Sequence, residues 1–259
     1  MKNSLLLLLF SFGLLHSLLA QKAPISNPNA SLELRFKNSG GTNGSAVCYN
    51  SKNKLYYAVI AGNAAFPMET FDSKGNAIYQ SEAYYDSRGM WYNANNNSLN
   101  YNGYGGGVYT ISLDEKGFPD KSTGRRNGSI DQKNSQSVAG YDSKKNELVL
   151  LYGNILMCYN SDTYVLNREI TLDLNREELE SINYTTVIAT GKTNYEYGVL
   201  DYEKRQVLFF NDSGKHTAVV NLPSNIATNE GFWFSYANGY VFTYSTKTRS
   251  WTGYRIFKK

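Results

Sequence analysis

The sequence has few of the side chains on which most metal sites and nucleophilic triads depend. It contains two histidines and two cysteines in 259 residues, and one of the histidines, His16, lies in the apolar N-terminal segment. His216 is then the one histidine of the remaining chain. This scarcity excludes zinc and iron sites built from clustered His and Cys, and it leaves a His-dependent triad without its base. We therefore predict no metal site, no cofactor and no catalytic residue of these kinds.

A strong charge of one sign and a long apolar run are also missing. The formal net charge is +4, from 26 basic and 22 acidic residues, which is too weak to indicate a nucleic-acid partner. The longest apolar stretch, from Leu5 to Leu15, is shorter than the roughly 20 residues that a membrane-spanning helix needs. We expect neither nucleic-acid binding nor a membrane span.

The N-terminus has the pattern of a secretory signal peptide. Lys2 precedes the apolar run, and small and apolar residues lead up to Ala20. We predict a signal peptide over residues 1–20 and a disordered segment over 21–30, which is rich in Pro, Asn and Ser. Because no Cys follows Ala20 directly, a lipoprotein anchor is not expected. The predicted location is outside the cytoplasm, either periplasmic or extracellular.

Five segments of the remaining chain share an apolar strand, a polar turn and a second strand. Repeats of roughly 20 to 50 residues indicate solenoids, propellers or other arrays. Taking one position of the first strand as equivalent gives spacings of 43, 49, 48 and 45 residues. The aligned residues are Tyr49, Tyr92, Tyr141, Ala189 and Phe234.

A second turn recurs further into each unit. Asp or Asn opens it by bonding its own backbone, and three of the four copies carry a Gly that accepts a positive φ. The copies are Asp72–Gly75, Asp114–Gly117, Asn160–Thr163 and Asn211–Gly214. The fifth unit lacks this turn and has only three predicted strands.

The missing strand is predicted to come from the start of the domain. Residues Leu32 to Phe36 alternate apolar and polar side chains ahead of the first repeat. A strand from one end of the chain that completes the blade at the other end removes an exposed edge, which is how propellers close. We therefore predict an all-β, five-bladed β-propeller of four-stranded blades, forming a single domain over residues 31–259. The predicted blades are 45–88, 89–136, 137–183, 184–229 and 230–259, the last completed by residues 31–37.

On these repeats the sequence resembles secreted bacterial β-propeller repeat proteins, over nearly all of the chain after residue 20. The resemblance concerns architecture. There is no WD dipeptide and no motif that assigns a functional family. It implies the fold and leaves the activity open.

The two cysteines fall in the first and third predicted blades. A disulfide needs Cα atoms within about 7 Å, which non-neighbouring blades do not provide. Cys48 and Cys158 are therefore expected to be buried, unpaired thiols.

Aromatic residues favour a binding function at a mouth of the propeller. Trp91, Tyr92 and Trp233 lie in predicted inner strands, and Tyr104 adjoins the glycine run that follows it. Exposed rings stack on sugars or anchor protein partners, whereas buried ones fill the space between blades. We expect a monomeric, non-enzymatic binding or scaffolding protein whose partner is a glycan or an extracytoplasmic protein.

The alternative is a carbohydrate-active hydrolase. Glycoside hydrolysis needs two carboxyl groups about 5 to 9.5 Å apart. Asp86, Asp142 and Glu230 lie close to the ends of predicted inner strands. The two hypotheses differ in whether carboxylates, or aromatic and amide groups, line the axial cavity.

Overall fold

A computed structural model describes residues 23–62 and 66–257, with the side chains of 121–125 left aside. The predicted signal peptide, residues 1–20, lies outside the described residues. Within the described ranges, no helix is both long enough and apolar enough to cross a bilayer.

The described strands form five four-stranded antiparallel sheets, the five blades that the sequence predicted, although blades one and two begin two residues earlier than predicted, at Asn43 and Ser87. Blade one contains β2 Asn43–Asn50, β3 Leu55–Ala61, β4 Pro67–Phe71 and β5 Ala77–Glu82. Blade two contains β6 Ser87–Asn93, β7 Ser98–Gly103, β8 Gly107–Leu113 and β9 Pro119–Ser129. Blade three contains β10 Gly140–Asp142, β11 Glu147–Tyr152, β12 Ile155–Asn160 and β13 Leu166–Thr171. Blade four contains β14 Ile188–Ala189, β15 Tyr197–Asp201, β16 Gln206–Phe210 and β17 His216–Asn221. Blade five contains β18 Phe234–Ala237, β19 Tyr240–Ser245, β20 Ser250–Arg255 and, from the N-terminal end, β1 Ala30–Arg35.

A short helix, α1, interrupts the all-β pattern between blades three and four. It covers Arg176–Ser181 and begins at a capping box, in which Asn175 accepts from the N–H of Glu178 and the Glu178 side chain accepts from the N–H of Asn175. This reciprocal pairing satisfies backbone donors that a free helix end leaves unpaired. The capping box therefore stabilises this six-residue helix between the two blades.

The ring closes through β1, as the sequence predicted. β1 pairs antiparallel with β20, and Leu34 lies opposite Trp251 in the register. Both side chains are fully buried, so the alternation of the N-terminal strand places its apolar face in the core between blades five and one. β1 thereby pairs the outer edge of β20 and becomes the outermost strand of blade five.

The segment ahead of β1, which we expected to be disordered, makes backbone contacts in its described part. The N–H of Ile25 donates to the carbonyl of Ile256 at 2.6 Å, and the N–H of Asn27 donates to the carbonyl of Asn221 at 2.8 Å. These carbonyls lie just after β20 and at the end of β17. The segment thus lies across blades five and four.

The recurring outer turns are confirmed. In the first copy Asp72 Oδ1 accepts from the N–H groups of Lys74 and Asn76, each at 2.9 Å. Gly75 has φ +88°, and the glycines of the second and fourth copies have φ +86° and +80°. The aspartate or asparagine therefore organises the turn, and the glycine provides the left-handed residue that the turn requires.

Five separate apolar clusters fill the spaces between neighbouring blades. Cys48 lies in the cluster between blades one and two, and Cys158 lies in that between blades three and four. Both are buried free cysteines, as predicted.

Candidate functional site

The first strand of each blade lines the central axis, and these inner strands lead from one end of the axis to the other. At their C-terminal ends they surround a cavity of about 370 Å³. We call it the tyrosine cup, after Tyr49, Tyr92, Tyr141 and Tyr236, which line it from four different blades. A second cavity, of about 630 Å³, lies at the opposite end and is lined mostly by residues that precede or begin inner strands, together with Ala61, Gly62 and Tyr104, which lie at or after the ends of second strands.

The four tyrosines occupy one position of the repeat. Each lies opposite the second residue of the next strand, as in the pairs Tyr49–Tyr56 and Tyr236–Val241. Blade four has Ala189 at the corresponding position, opposite Tyr197, the first residue of β15; a backbone bond from Thr190 to Glu196 extends this ladder by one pair, as in the other blades. The sequence alignment, which placed Phe234 here, is wrong by two residues.

The misalignment has a local cause. The hairpin of blade five turns through two residues, Asn238 and Gly239, whereas that of blade one turns through four, 51–54. Because the blade-five turn is two residues shorter, an alignment that matches the second strands displaces the first strand by two residues. Side chains of a strand alternate with a period of two, so the displaced residue still has its side chain on the same face. The aromatic residue of the fifth repeat is therefore Tyr236.

Two of the cup's tyrosines are held by the turn that follows them. The Tyr92 hydroxyl donates to Asn97 Oδ1, and the Tyr141 hydroxyl donates to Asn146 Oδ1, each at 3.1 Å. Both asparagines have a positive φ, which Asn tolerates better than most residues. A Tyr followed five residues later by Asn is the sequence signal that would have identified this arrangement.

The described lining of the cup carries no ionised group. Burial raises the pKa of all four tyrosines, so their hydroxyls stay protonated at neutral pH. Burial likewise raises the pKa of the Cys48 thiol, which lies deeper in the same cavity. Ser51, Ser143 and Asn238 add uncharged polar groups. The cup is thus lined by tyrosines, hydroxyls and an amide without a charge, while the tyrosine rings also pack against the apolar clusters between the blades.

The structure separates the four residues that the sequence grouped as a ligand site. Trp91 and Tyr92 line the cup, with the Trp91 ring 5.9 Å from that of Tyr141. Tyr104 lies at the opposite cavity. Trp233 packs edge-on against Tyr244 and donates its indole N–H to Asn43 between blades five and one.

The acidic residues considered for hydrolysis do not converge. Asp86 lines the opposite cavity, whereas Asp142 is buried at the cup end and accepts from the N–H groups of Lys144 and Lys145. Among the described residues that line either cavity, Asp86 is the one carboxylate. The described part of the chain also has no group of three or more His, Cys, Asp or Glu side chains placed to hold a metal ion.

The chain resembles solved β-propellers in fold. It superposes on the glutaminyl cyclase of Myxococcus xanthus with a TM-score of 0.62 and 12% identity, over 91% of this chain and 99% of that one. The β-propeller domain of Cps50 (Swd1) from Myceliophteria thermophila gives a TM-score of 0.51 and 8% identity, over 88% and 99%. A Bacteroides thetaiotaomicron protein of unknown function gives 0.50 and 10%, over 90% and 75%. No protein-family model and no curated protein matches the sequence.

Proposed function

We propose that this protein is an exported, non-enzymatic binding protein and that a neutral glycan docks in the tyrosine cup. The observation that carries the proposal is the uncharged aromatic lining contributed by four blades around one cavity. A volume of about 370 Å³ lies within the range of ligand-binding pockets. The ring faces suit the C–H faces of a pyranose, and the hydroxyl and amide groups between them suit its hydroxyls.

The geometry favours binding over the alternative of carbohydrate hydrolysis. A glycosidase needs an acid and a second carboxylate on either side of the scissile bond. The described lining of the cup has neither. The opposite cavity has Asp86, whose two carboxylate oxygens both accept from Arg88. A single carboxylate in that pairing does not supply the two roles.

Export is the second part of the proposal and depends on residues 1–20. Cleavage after Ala20 would release a chain that begins at Gln21. The intact mass of the protein recovered from the extracytoplasmic fraction tests it. An unprocessed N-terminus in the cytoplasmic fraction would overturn it.

The test of the cup is a glycan array with the chain from residue 21 onward, followed by product analysis of every glycan bound. We compare Tyr141→Ala with the matched variant Tyr152→Ala, which removes an exposed tyrosine outside the cup. Binding without cleavage, lost in Tyr141→Ala and kept in Tyr152→Ala, supports the proposal. Cleavage of a bound glycan overturns the non-enzymatic part, and binding that survives Tyr141→Ala overturns the site.

A second activity is measured in the same preparation because of the Myxococcus xanthus structure. Its likeness to this chain, at 12% identity, concerns the fold, so glutaminyl cyclase activity enters as an assay and carries no weight in the proposal. Turnover in that assay would replace the binding function with an enzymatic one.

A further inference from the structure

The cavity opposite the cup is built around a buried arginine. The Arg88 side chain is only 4% exposed and forms a bidentate ion pair with Asp86, Nη1 to Oδ1 at 2.5 Å and Nη2 to Oδ2 at 2.9 Å. Its Nε donates to Gln136 Oε1 at 3.0 Å, and Nη1 also donates to the carbonyl of Ser87. We call this the arginine cavity. Its charged pair is fixed in place by bonds from two blades.

Two aromatic rings hold the guanidinium. Its Cζ lies 5.3 Å from the centroid of the Tyr104 ring and 5.3 Å from that of Phe232. Such contacts stabilise a cation when it is withdrawn from water. Phe232 comes from blade five, so the ring reaches across the axis to a residue of blade two.

The Phe232 ring is placed there by strained backbone. Phe232 and Trp233 both have positive φ, +56° and +53°, a backbone conformation that is unfavourable for residues other than glycine. The strain is held by two bonds, from the Phe232 N–H to Thr185 Oγ1 and from Asn183 Nδ2 to the Phe232 carbonyl. Strained residues of this kind concentrate at ligand sites.

The polar groups of the arginine cavity include hydrogen-bond donors and acceptors that no described residue uses. One N–H on Arg88 Nη2 and both N–H groups of Gln136 Nε2 have no acceptor among the described residues. The orientation of the Gln136 amide follows from its bond to Arg88, because only its oxygen can accept. Asp86 is 31% exposed, and its oxygens have lone pairs beyond those that Arg88 uses.

We propose that the arginine cavity binds a small zwitterion of the α-amino acid class. The ligand's ammonium group donates to Asp86, and its carboxylate accepts from Arg88 Nη2 and Gln136 Nε2. Because Asp86 and Arg88 together are neutral, a ligand with one charge of each sign satisfies both ends. A ligand with a single net charge leaves one charge uncompensated in a partly buried site, which is costly. This site is separate from the tyrosine cup and does not depend on glycan binding.

The proposal is tested by calorimetric titration of the folded chain with each of the common L-amino acids. The tightest binder is then compared with its N-acetyl and its C-amide derivatives, which remove one charge each. We expect both derivatives to bind roughly tenfold more weakly or worse, since a hydrogen bond to a charged group contributes about 1.5 kcal/mol or more. Failure of every amino acid to bind, or equal binding of either derivative, overturns the proposal.

Gln136→Glu locates the site without removing the buried ion pair. The new carboxylate keeps the bond from Arg88 Nε but repels the ligand's carboxylate, so amino-acid affinity falls by roughly tenfold or more. Gln206→Glu makes the same change on the outer hairpin of blade four, where Gln206 bonds Asn221, and leaves affinity unchanged. Equal affinity of the two variants overturns the placement of the site. Glycan binding at the cup is unaffected by Gln136→Glu, so the two proposals fail separately.

Discussion

The side-chain amide of Asn102 in blade two donates to the main-chain carbonyl of Ser137, at 2.8 Å, where the chain begins blade three. Its oxygen accepts from the N–H groups of Gly89, at 2.8 Å, and Ala139, at 3.2 Å. Asn102 is fully buried, so one side chain satisfies backbone groups of two inner segments that no strand ladder pairs. The contact between the blades is therefore polar as well as apolar.

We expect Asn102→Leu to lower the free energy of unfolding by roughly 2 to 4 kcal/mol, because it leaves several buried backbone groups without partners. Urea denaturation followed by tryptophan fluorescence measures it. Asn95→Leu, on an exposed turn of the same blade, serves as the control and should change stability little. Equal effects of the two substitutions would show that the interblade bonds contribute nothing.

Gly75→Ala is expected to loosen the ring closure. A Cβ at Gly75 would lie 2.1 Å from the carbonyl oxygen of Glu33 in β1, in addition to the cost of φ +88°. Gly105→Ala provides the comparison, because Gly105 has φ +76° and no atom within 4 Å of a built Cβ. The left-handed backbone alone costs about 1 kcal/mol, so the excess loss in Gly75→Ala measures the clash. Thermal denaturation of both variants measures this excess loss of stability. Equal melting temperatures would contradict the close approach of Gly75 to β1.

Two fully buried tyrosines differ in whether their hydroxyl is bonded. Tyr57 donates to the carbonyl of Gly117 at 2.6 Å, whereas the Tyr244 hydroxyl has no partner among the described residues. We expect Tyr57→Phe to destabilise the protein by about 1 to 2 kcal/mol and Tyr244→Phe to leave it unchanged or more stable, since it removes an unpaired buried polar group. Denaturant midpoints measured side by side test this order. A larger loss in Tyr244→Phe would reveal a partner for its hydroxyl.

Alkaline pH is expected to unfold the protein. Burial raises the pKa of Tyr56 and Tyr159 to about 12, and that of Cys158 also to about 12. The folded state therefore keeps protons that the unfolded state releases above about pH 9 to 10, so stability falls as pH rises from there towards 12. Urea midpoints measured at intervals from about pH 8 to 11 should decline, and unfolding at high pH should add tyrosinate absorbance from the buried tyrosines to that of the exposed ones. A flat profile of the urea midpoints would contradict the burial of these groups.

Ala189→Tyr is expected to close the cup. Ala189 holds the repeat position that the four tyrosines hold in the other blades, and it lines the same cavity. A fifth ring at this position would occupy part of the 370 Å³ and should abolish glycan binding. Ser213→Tyr, on an exposed outer turn, adds the same ring elsewhere and should leave binding intact. Unchanged affinity in a folded Ala189→Tyr variant would place the ligand elsewhere.

The fold was predictable because its signals are local. Asp72 organises its own turn, and the alternation from Leu32 to Phe36 already contains the inward and outward faces of β1. Each of these patterns lies within a few residues, and the repeat presents it several times. The length of the last hairpin, at Asn238 and Gly239, is a property of one blade, and there the repeat misled the alignment.

The site was less predictable because it depends on the direction of the strands that separate its residues in the sequence. Tyr92 and Tyr104 are twelve positions apart, yet β7 runs between them along the axis and places them at opposite ends. Arg88 donates to Gln136 only because blades two and three pack against each other beside the axis. No local pattern specifies such contacts, since they arise from strand direction and from the packing of one blade on the next.

The pairing of β1 with β20 determines when the molecule can finish folding. β1 is synthesised more than 200 residues before β20, its pairing partner. It therefore remains an unpaired strand while the intervening blades form. Contacts of such long sequence separation slow folding and leave edges exposed to association with other chains. Synthesis of β20, rather than completion of any earlier blade, is thus the event after which this ring can close.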